Sequence, residues 1–126
     1  MLLLDTHTLL WFLFDDSNLP KSLREEIINA DGVYVSIAVF WEITIKKSLG
    51  KLDIDHSIEE IMNASEENDI KTLSLKVEHF KELMKLEYIH RDPFDRIMIS
   101  QSLAENMTFL TKDENIHKYN ADVRWN

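Results

Sequence analysis

Leu2-Leu3-Leu4-Asp5-Thr6, and near the other end of the chain Phe109-Leu110-Thr111-Lys112-Asp113, are the stretches whose reading decides the fold. Each is a short apolar run that breaks off into polar residues and an acid, the pattern expected where a buried strand gives way to a helix or turn. In an open parallel α/β sheet, ligands bind outside the carboxyl ends of the strands. If both runs are strands of such a sheet, Asp5 and Asp113 meet at that edge. Two further acids lie near such transitions: Glu42 inside Val39-Phe40-Trp41-Glu42-Ile43, and Asp95, the second acid of Asp92-Pro93-Phe94-Asp95-Arg96. Clustered carboxylates repel one another by as much as ~4 kcal/mol per close pair at an effective dielectric of about 20. A hard divalent cation removes that cost, so the four acids read as a Mg²⁺ or Mn²⁺ site for phosphodiester chemistry.

The rest of the chain alternates strand and helix. Thr6 to Phe14 carries Leu9, Leu10, Leu13 and Phe14 at helical spacing, and Pro20 opens a helix through Asn29. Val33 to Ile37 is a β-branched strand. Ser36 can cap a helix over Ala38 to Lys47, stopped near Gly50. A helix over Ser57 to Asn68, a strand over Lys71 to Leu73 and a helix over Leu75 to Tyr88 follow. Asp92 then caps a helix over Pro93 to Glu105, with proline at its first position. Met107 to Leu110 is a strand, Glu114 to Lys118 a helical turn, and Ala121 to Trp125 a last edge strand. Strands separated by helices imply an α/β fold with a parallel sheet covered on both faces.

The 126 residues fit one domain, 1–126, with a real core. With 44% hydrophobic and 29% charged residues the chain is expected to be globular, and only two Gly and two Pro argue against a turn-rich all-β protein. The absence of Cys excludes disulfides and thiol catalysis, and suits a cytoplasmic location. No apolar run approaches the ~20 residues of a membrane span, so no membrane role is expected. The N-terminus lacks the basic flank of a secretion signal, and the start methionine is expected to lead straight into the fold. The net charge of −9 opposes broad nucleic-acid coating. Metal ions and nearby basic residues (Lys46, Lys47, Lys51, Arg91, Arg96, Lys112) leave room for contact with a short stretch, and an acidic surface suits a basic protein partner.

Each acid also has a bland explanation. Asp5 and Asp113 suit helix N-caps, and Asp95 at the third helical position suits the macrodipole. Glu42 is harder to dismiss, because a lone carboxylate among apolar residues is costly; a salt bridge with Lys46 at i+4 is its simplest alternative partner. Thr6 and Thr111 adjoin acids and can hydrogen-bond them or a metal-bound water, or are ordinary strand-end hydroxyls. Asp92 is an N-cap with a possible outer role at the site. His7 lies near Asp5, while His56, His79, His90 and His117 show no zinc-like spacing. Trp11, Phe12, Phe14, Phe40 and Trp41 are most simply core, though so many aromatics early in the chain also suit a partner groove.

Taken together, the motifs resemble a known family. Leu3 to Trp11, Trp41-Glu42-Ile43-Thr44-Ile45-Lys46 with Leu49-Gly50-Lys51-Leu52, His90 to Ser102 and Leu110-Thr111-Lys112-Asp113 resemble, in order, the four motifs of PIN-domain proteins, specifically the VapC-type toxins of bacterial toxin–antitoxin pairs. The resemblance spans nearly the whole chain, and the third motif is the most specific. It implies a three-layer α/β/α fold with a central parallel sheet, and a Mg²⁺- or Mn²⁺-dependent endoribonuclease. Asp5, Glu42 and Asp95 carry over as core catalytic and metal-binding acids, Asp113 as the fourth acid, Thr111 as an accessory polar residue and Asp92 as an adjunct. It further implies a homodimer and a small antitoxin partner, with DNA contacted only through that antitoxin. Trp11, Phe12 and Phe14 are candidates to line the groove receiving its tail. In the chemistry so implied, metal-activated water attacks the RNA phosphate in line, leaving 3′-hydroxyl and 5′-phosphate ends. Two other readings compete. A phosphatase-like Mg²⁺ enzyme of haloacid-dehalogenase type wants a second Asp where His7 stands, and a receiver domain wants adjacent acids that are absent. The other competitor is a non-catalytic module that keeps the fold.

Overall fold

The computed structural model describes residues 1–126. Three successive leucines form strand β1 (Leu2–Leu4), and all are buried. Neighbouring side chains on a strand point to opposite faces, so a strand buried throughout is covered on both. The other strands are β2 (Val33–Ser36), β3 (Ile70–Leu73), β4 (Thr108–Leu110) and β5 (Val123–Arg124). All pair in parallel, in the order β3-β2-β1-β4-β5. The helices are α1 (Thr6–Leu13), α2 (Lys21–Asn29), α3 (Ile37–Ser48), α4 (Ile58–Glu67), α5 (Val77–Lys85) and α6 (Pro93–Ala104), followed by a short 3₁₀ turn at Ile116–Lys118. The expected α/β fold with a parallel sheet is therefore what forms. No helix is long and apolar enough to cross a membrane.

The strand order decides where a site can lie. From β1 the chain steps outward to β2 and β3, then returns past β1 to β4 and β5. The direction reverses between β1 and β4, where Leu4 pairs with Leu110. The connections leave this point on opposite sides and open a crevice at the strands' carboxyl ends. Asp5 and Thr111 leave the sheet side by side there, and the Asp5 amide donates to the Leu110 carbonyl at 3.4 Å.

Local chemistry explains how a chain with two glycines stops its helices. The residues following the last turns of α1, α3, α4 and α6 are Asp15, Gly50, Asp69 and Asn106, with φ of 53°, 67°, 58° and 55°. Aspartate and asparagine tolerate this left-handed region better than other side chains, and three of the four ends use them.

The helix expected over Leu75–Tyr88 forms only over Val77–Lys85. The Tyr119 hydroxyl accepts hydrogen bonds from the amides of Ile89 (3.1 Å) and His90 (2.8 Å), which holds the following segment off the helical path. Trp41 is not core: it is 60% exposed and meets Phe94 edge-on at 5.2 Å. The ~100° turn per residue that buries Val39, Phe40 and Ile43 carries Trp41 to the outside. Phe12, in contrast, packs in the core beneath the Arg24 guanidinium, 5.2 Å from its ring centre.

Phe109, fully buried on β4, tests how firmly the sheet is packed. Phe109→Ala is expected to cost ~3–5 kcal/mol in urea denaturation, the range for deleting a buried aromatic ring.

Candidate functional site

The crevice between β1 and β4 is a cleft of about 560 Å³. Asp5, Glu42, Asp92, Asp95, Asp113 and Glu114 line it, with Thr6, His7, Lys46 and Lys112; Trp11 is its one apolar wall. All four sequence-predicted acids thus share one cavity, as do Thr6 and Asp92. Thr111 is fully buried beneath it.

Asp5 caps α1. Its Oδ1 accepts from the Thr8 amide at 2.8 Å, and its Oδ2 from the Thr111 hydroxyl at 2.5 Å. The Thr111 oxygen in turn accepts from the Asp113 amide at 3.1 Å. One threonine therefore couples the ends of β1 and β4. Burial pushes the Asp5 carboxyl above its ordinary value, against the lowering effect of the hydrogen bonds from Thr111 and Thr8.

Glu42 projects from the middle of α3 and is only 5% exposed. Its Oε1 accepts from the Thr6 hydroxyl at 2.5 Å, and its Oε2 lies 2.8 Å from Lys46 Nζ. The i+4 ion pair named as the simple alternative is present, and it sits inside the acidic cleft. That hydrogen bond to Glu42 raises the Lys46 ammonium's pKa.

Asp92 caps α6, accepting from the amides of Phe94 (2.8 Å) and Asp95 (3.3 Å). Pro93 fixes the first turn, which leaves Asp95 one position beyond Phe94 and facing the cleft. Asp95 is pushed up to about 7, first by burial and then by Asp92, with Glu42 adding to the rise and His90 opposing it. Asp113 Oδ1 accepts from the Asn115 amide at 2.8 Å, the local turn expected of an aspartate there.

His90 is the residue that spacing did not reveal. Its Nε2 lies 2.7 Å from Asp95 Oδ2 and 3.5 Å from Asp113 Oδ2. The signal was present in the short step from His90 to Asp95, but a search for paired zinc ligands passes over a histidine that joins two carboxylates. Of the nearby basic residues, only Lys46 and Lys112 line the cleft. Arg96 instead donates to the Glu87 carbonyl and the Tyr119 hydroxyl, and Lys47 donates to the Ile54 carbonyl.

The donor set fits a divalent cation. Carboxylate oxygens predominate, burial raises the pKa of Asp5 and Asp95 so that a bare negative charge there is costly, and the donor atoms of His90, Asp95 and Asp113 all lie within 4.8 Å of one another.

The PIN domain family matches residues 2–122. The chain belongs to the PIN domain family. In three dimensions this PIN domain is similar to a chain of VapBC2 from Rickettsia felis, solved bound to a DNA fragment from its promoter: the TM-score is 0.71 at 12% identity, covering 98% of this chain and 96% of that one. It is also similar to a chain of a toxin–antitoxin complex from Klebsiella pneumoniae, with a TM-score of 0.68 at 13% identity, covering 99% and 97%. At such identities the likeness is one of fold. No curated protein matches the sequence.

Asp95 gives the PIN domain a pH signature. Its ordinary pKa of 3.8 rises to about 7 on folding, so between these values the folded state retains a proton that the unfolded chain releases. The stability this group contributes is present below its ordinary pKa and lost as pH rises through about 7. At ~1.4 kcal/mol per unit the effect is on the order of a few kcal/mol. Urea denaturation with chelator from pH 4 to 8 should show stability falling more steeply in the wild type than in Asp95→Asn. Parallel profiles would contradict the assignment.

Proposed function

We propose that this PIN domain, acting as one unit over residues 1–126, is a divalent-metal-dependent endoribonuclease and the VapC-type toxin of a toxin–antitoxin pair. The observation that carries the reading is the convergence of Asp5, Glu42, Asp95 and Asp113 on one cleft at the switch point of the sheet. Asp5, Glu42 and Asp95 are the core ligands and Asp113 the fourth acid, with Asp92, Thr6 and Thr111 supporting them. The ion, Mg²⁺ or Mn²⁺, would supply Lewis-acid polarisation of the phosphate and a water of lowered pKa.

The chain's own residues do the rest. Thr111 and the Thr8 amide fix the plane of the Asp5 carboxylate. Thr6 holds one oxygen of Glu42 and Lys46 pairs with the other. Lys46 and Lys112 are the cations that a phosphodiester entering an acidic cleft meets. Water attack in line leaves 3′-hydroxyl and 5′-phosphate ends and does not use the RNA 2′-hydroxyl as nucleophile. An acidic cleft with only two lysines in its wall suits a short single-stranded segment rather than a long duplex.

The partner side of the proposal follows from the neighbours, which are toxin–antitoxin complexes. A second cavity of about 400 Å³ adjoins the acidic cleft through His7 and Trp11. Leu10, Phe14, Leu52 and Ile54 line it, with Asp16, Asp53 and Asp55 among its remaining wall residues. Apolar walls with acidic groups suit a basic, amphipathic antitoxin tail. The protein would act in the cytoplasm as a homodimer, and reach promoter DNA only through the antitoxin.

Asp5→Asn, Glu42→Gln and Asp95→Asn should each lower metal-dependent RNA cleavage by about a thousandfold or more, equivalent to ~4 kcal/mol of barrier, while circular dichroism stays native. Full activity in any of the three, purified free of wild type, would remove that residue from the site. A non-catalytic module would show no cleavage even in the wild type.

Millimolar Mg²⁺ or Mn²⁺ should raise the melting temperature, since an ion at a hundred times its Kd adds ~2.7 kcal/mol to the folded state. Induction of the chain alone should arrest growth, and co-expression with a neighbouring small basic-tailed protein should relieve it. Absence of both toxicity and a co-purifying neighbour would leave a solitary nuclease in place of a toxin.

A further inference from the structure

We propose that His90 is a metal ligand. With Asp95 and Asp113 it forms a nitrogen-containing subsite of the acidic cleft that takes Mn²⁺ in preference to Mg²⁺. The inference rests on the metal-dependent reading above, but concerns a residue which that reading leaves unassigned.

The first argument is geometric. Metal–donor bonds of ~2.1 Å to nitrogen or carboxylate oxygen put adjacent ligand atoms of an octahedron ~3 Å apart. His90 Nε2 stands 2.7 Å from Asp95 Oδ2 and 3.5 Å from Asp113 Oδ2, which brackets that spacing. No two of the three donor atoms are farther apart than 4.8 Å, and no other set of three histidine, aspartate or glutamate side chains meets that limit. Asp5 and Glu42 stand outside the triad, each already engaged by a threonine.

The second argument is preorganisation. His90 sits on the segment between α5 and α6, which would swing freely if nothing fastened it. The Tyr119 hydroxyl accepts from the His90 and Ile89 amides, and Arg96 donates both to that hydroxyl and to the Glu87 carbonyl. Tyr119 is itself buried. These bonds fix the backbone from which the imidazole reaches Asp95, as supporting contacts around a ligand do.

The third argument is chemical. Mg²⁺ takes oxygen donors and dehydrates reluctantly, whereas imidazole suits first-row transition ions. A histidine between two carboxylates therefore biases the subsite towards such an ion. An ion held by the three donors would take the place of the 2.7 Å contact between His90 and Asp95.

The test uses the full-length protein with Mn²⁺ and Mg²⁺ as probes. Pulsed electron paramagnetic resonance of bound Mn²⁺ should show coupling to a directly ligated histidine nitrogen in the wild type, and lose it in His90→Ala. Calorimetry should show Mn²⁺ affinity falling roughly tenfold or more in that variant, with Mg²⁺ affinity changed by less than about threefold, as expected for loss of a nitrogen ligand that only Mn²⁺ uses well. Asp113→Asn should weaken Mn²⁺ binding as well. If His90 merely neutralises Asp95, its removal leaves both affinities unchanged or tightens both, and no nitrogen coupling appears; either result overturns the proposal. The wild-type spectrum decides even if the variant fails to fold. RNA cleavage with Mg²⁺ but no nitrogen coupling sinks the His90 proposal alone, whereas failure of both ions to bind the wild type sinks it together with the metal-dependent reading.

Discussion

Repulsion among carboxylates that cannot escape into water is the constraint around which this molecule is arranged. Asp5 and Glu42 are almost wholly buried, and Asp95 is held among Asp92, Glu42 and His90. Left bare, such a group of charges would open the crevice. The fold restrains it with hydroxyls, an ammonium and an imidazole: Thr111 on Asp5, Thr6 and Lys46 on Glu42, His90 on Asp95. Each restraint engages a carboxylate at one or two atoms and leaves it at the cleft wall.

The restraints come from distant parts of the chain, and the sheet makes them meet. Thr111 reaches Asp5 because β4 lies beside β1 in matched register. Thr6 reaches Glu42 because α1 and α3 start from neighbouring strands, β1 and β2, at the same edge. A shift of either strand by one residue would turn these side chains to the other face and dismantle the cleft. The apolar burial that fixes register is therefore also what sets the electrostatics of the site.

Much of this was legible in the sequence, and the failures are instructive. The order of strands and helices follows from apolar period and caps, and Asp92-Pro93 marks the start of α6 to the residue. Asp5, Glu42, Asp95 and Asp113 were legible because each lies at or near the end of an apolar run, whereas Glu114, which also lines the cleft, carried no such signal. His90 was not legible, because its place is set by Tyr119, far along the chain, and no local pattern encodes that contact. The same contact explains the overlong helix expected before it. Trp41 was misjudged because size and hydrophobicity favour burial, while the turn of α3 gives the interior to its neighbours. The Glu42–Lys46 pair shows that a bland reading and a functional one are not always rivals: the ion pair exists, within the acidic cleft.

The position of β1 between β2 and β4 also has a consequence in time. β1 is made well before its sheet neighbour β4, and Thr111 lies 106 residues after the Asp5 that it orients. Until then Asp5 lacks the hydroxyl that orients it, and the crevice has only one wall. Pairing over so long a separation is slow and comes late in folding. The acidic cleft is therefore incomplete until β4 has been made and has paired with β1, so the carboxylates that line it are brought together late in folding.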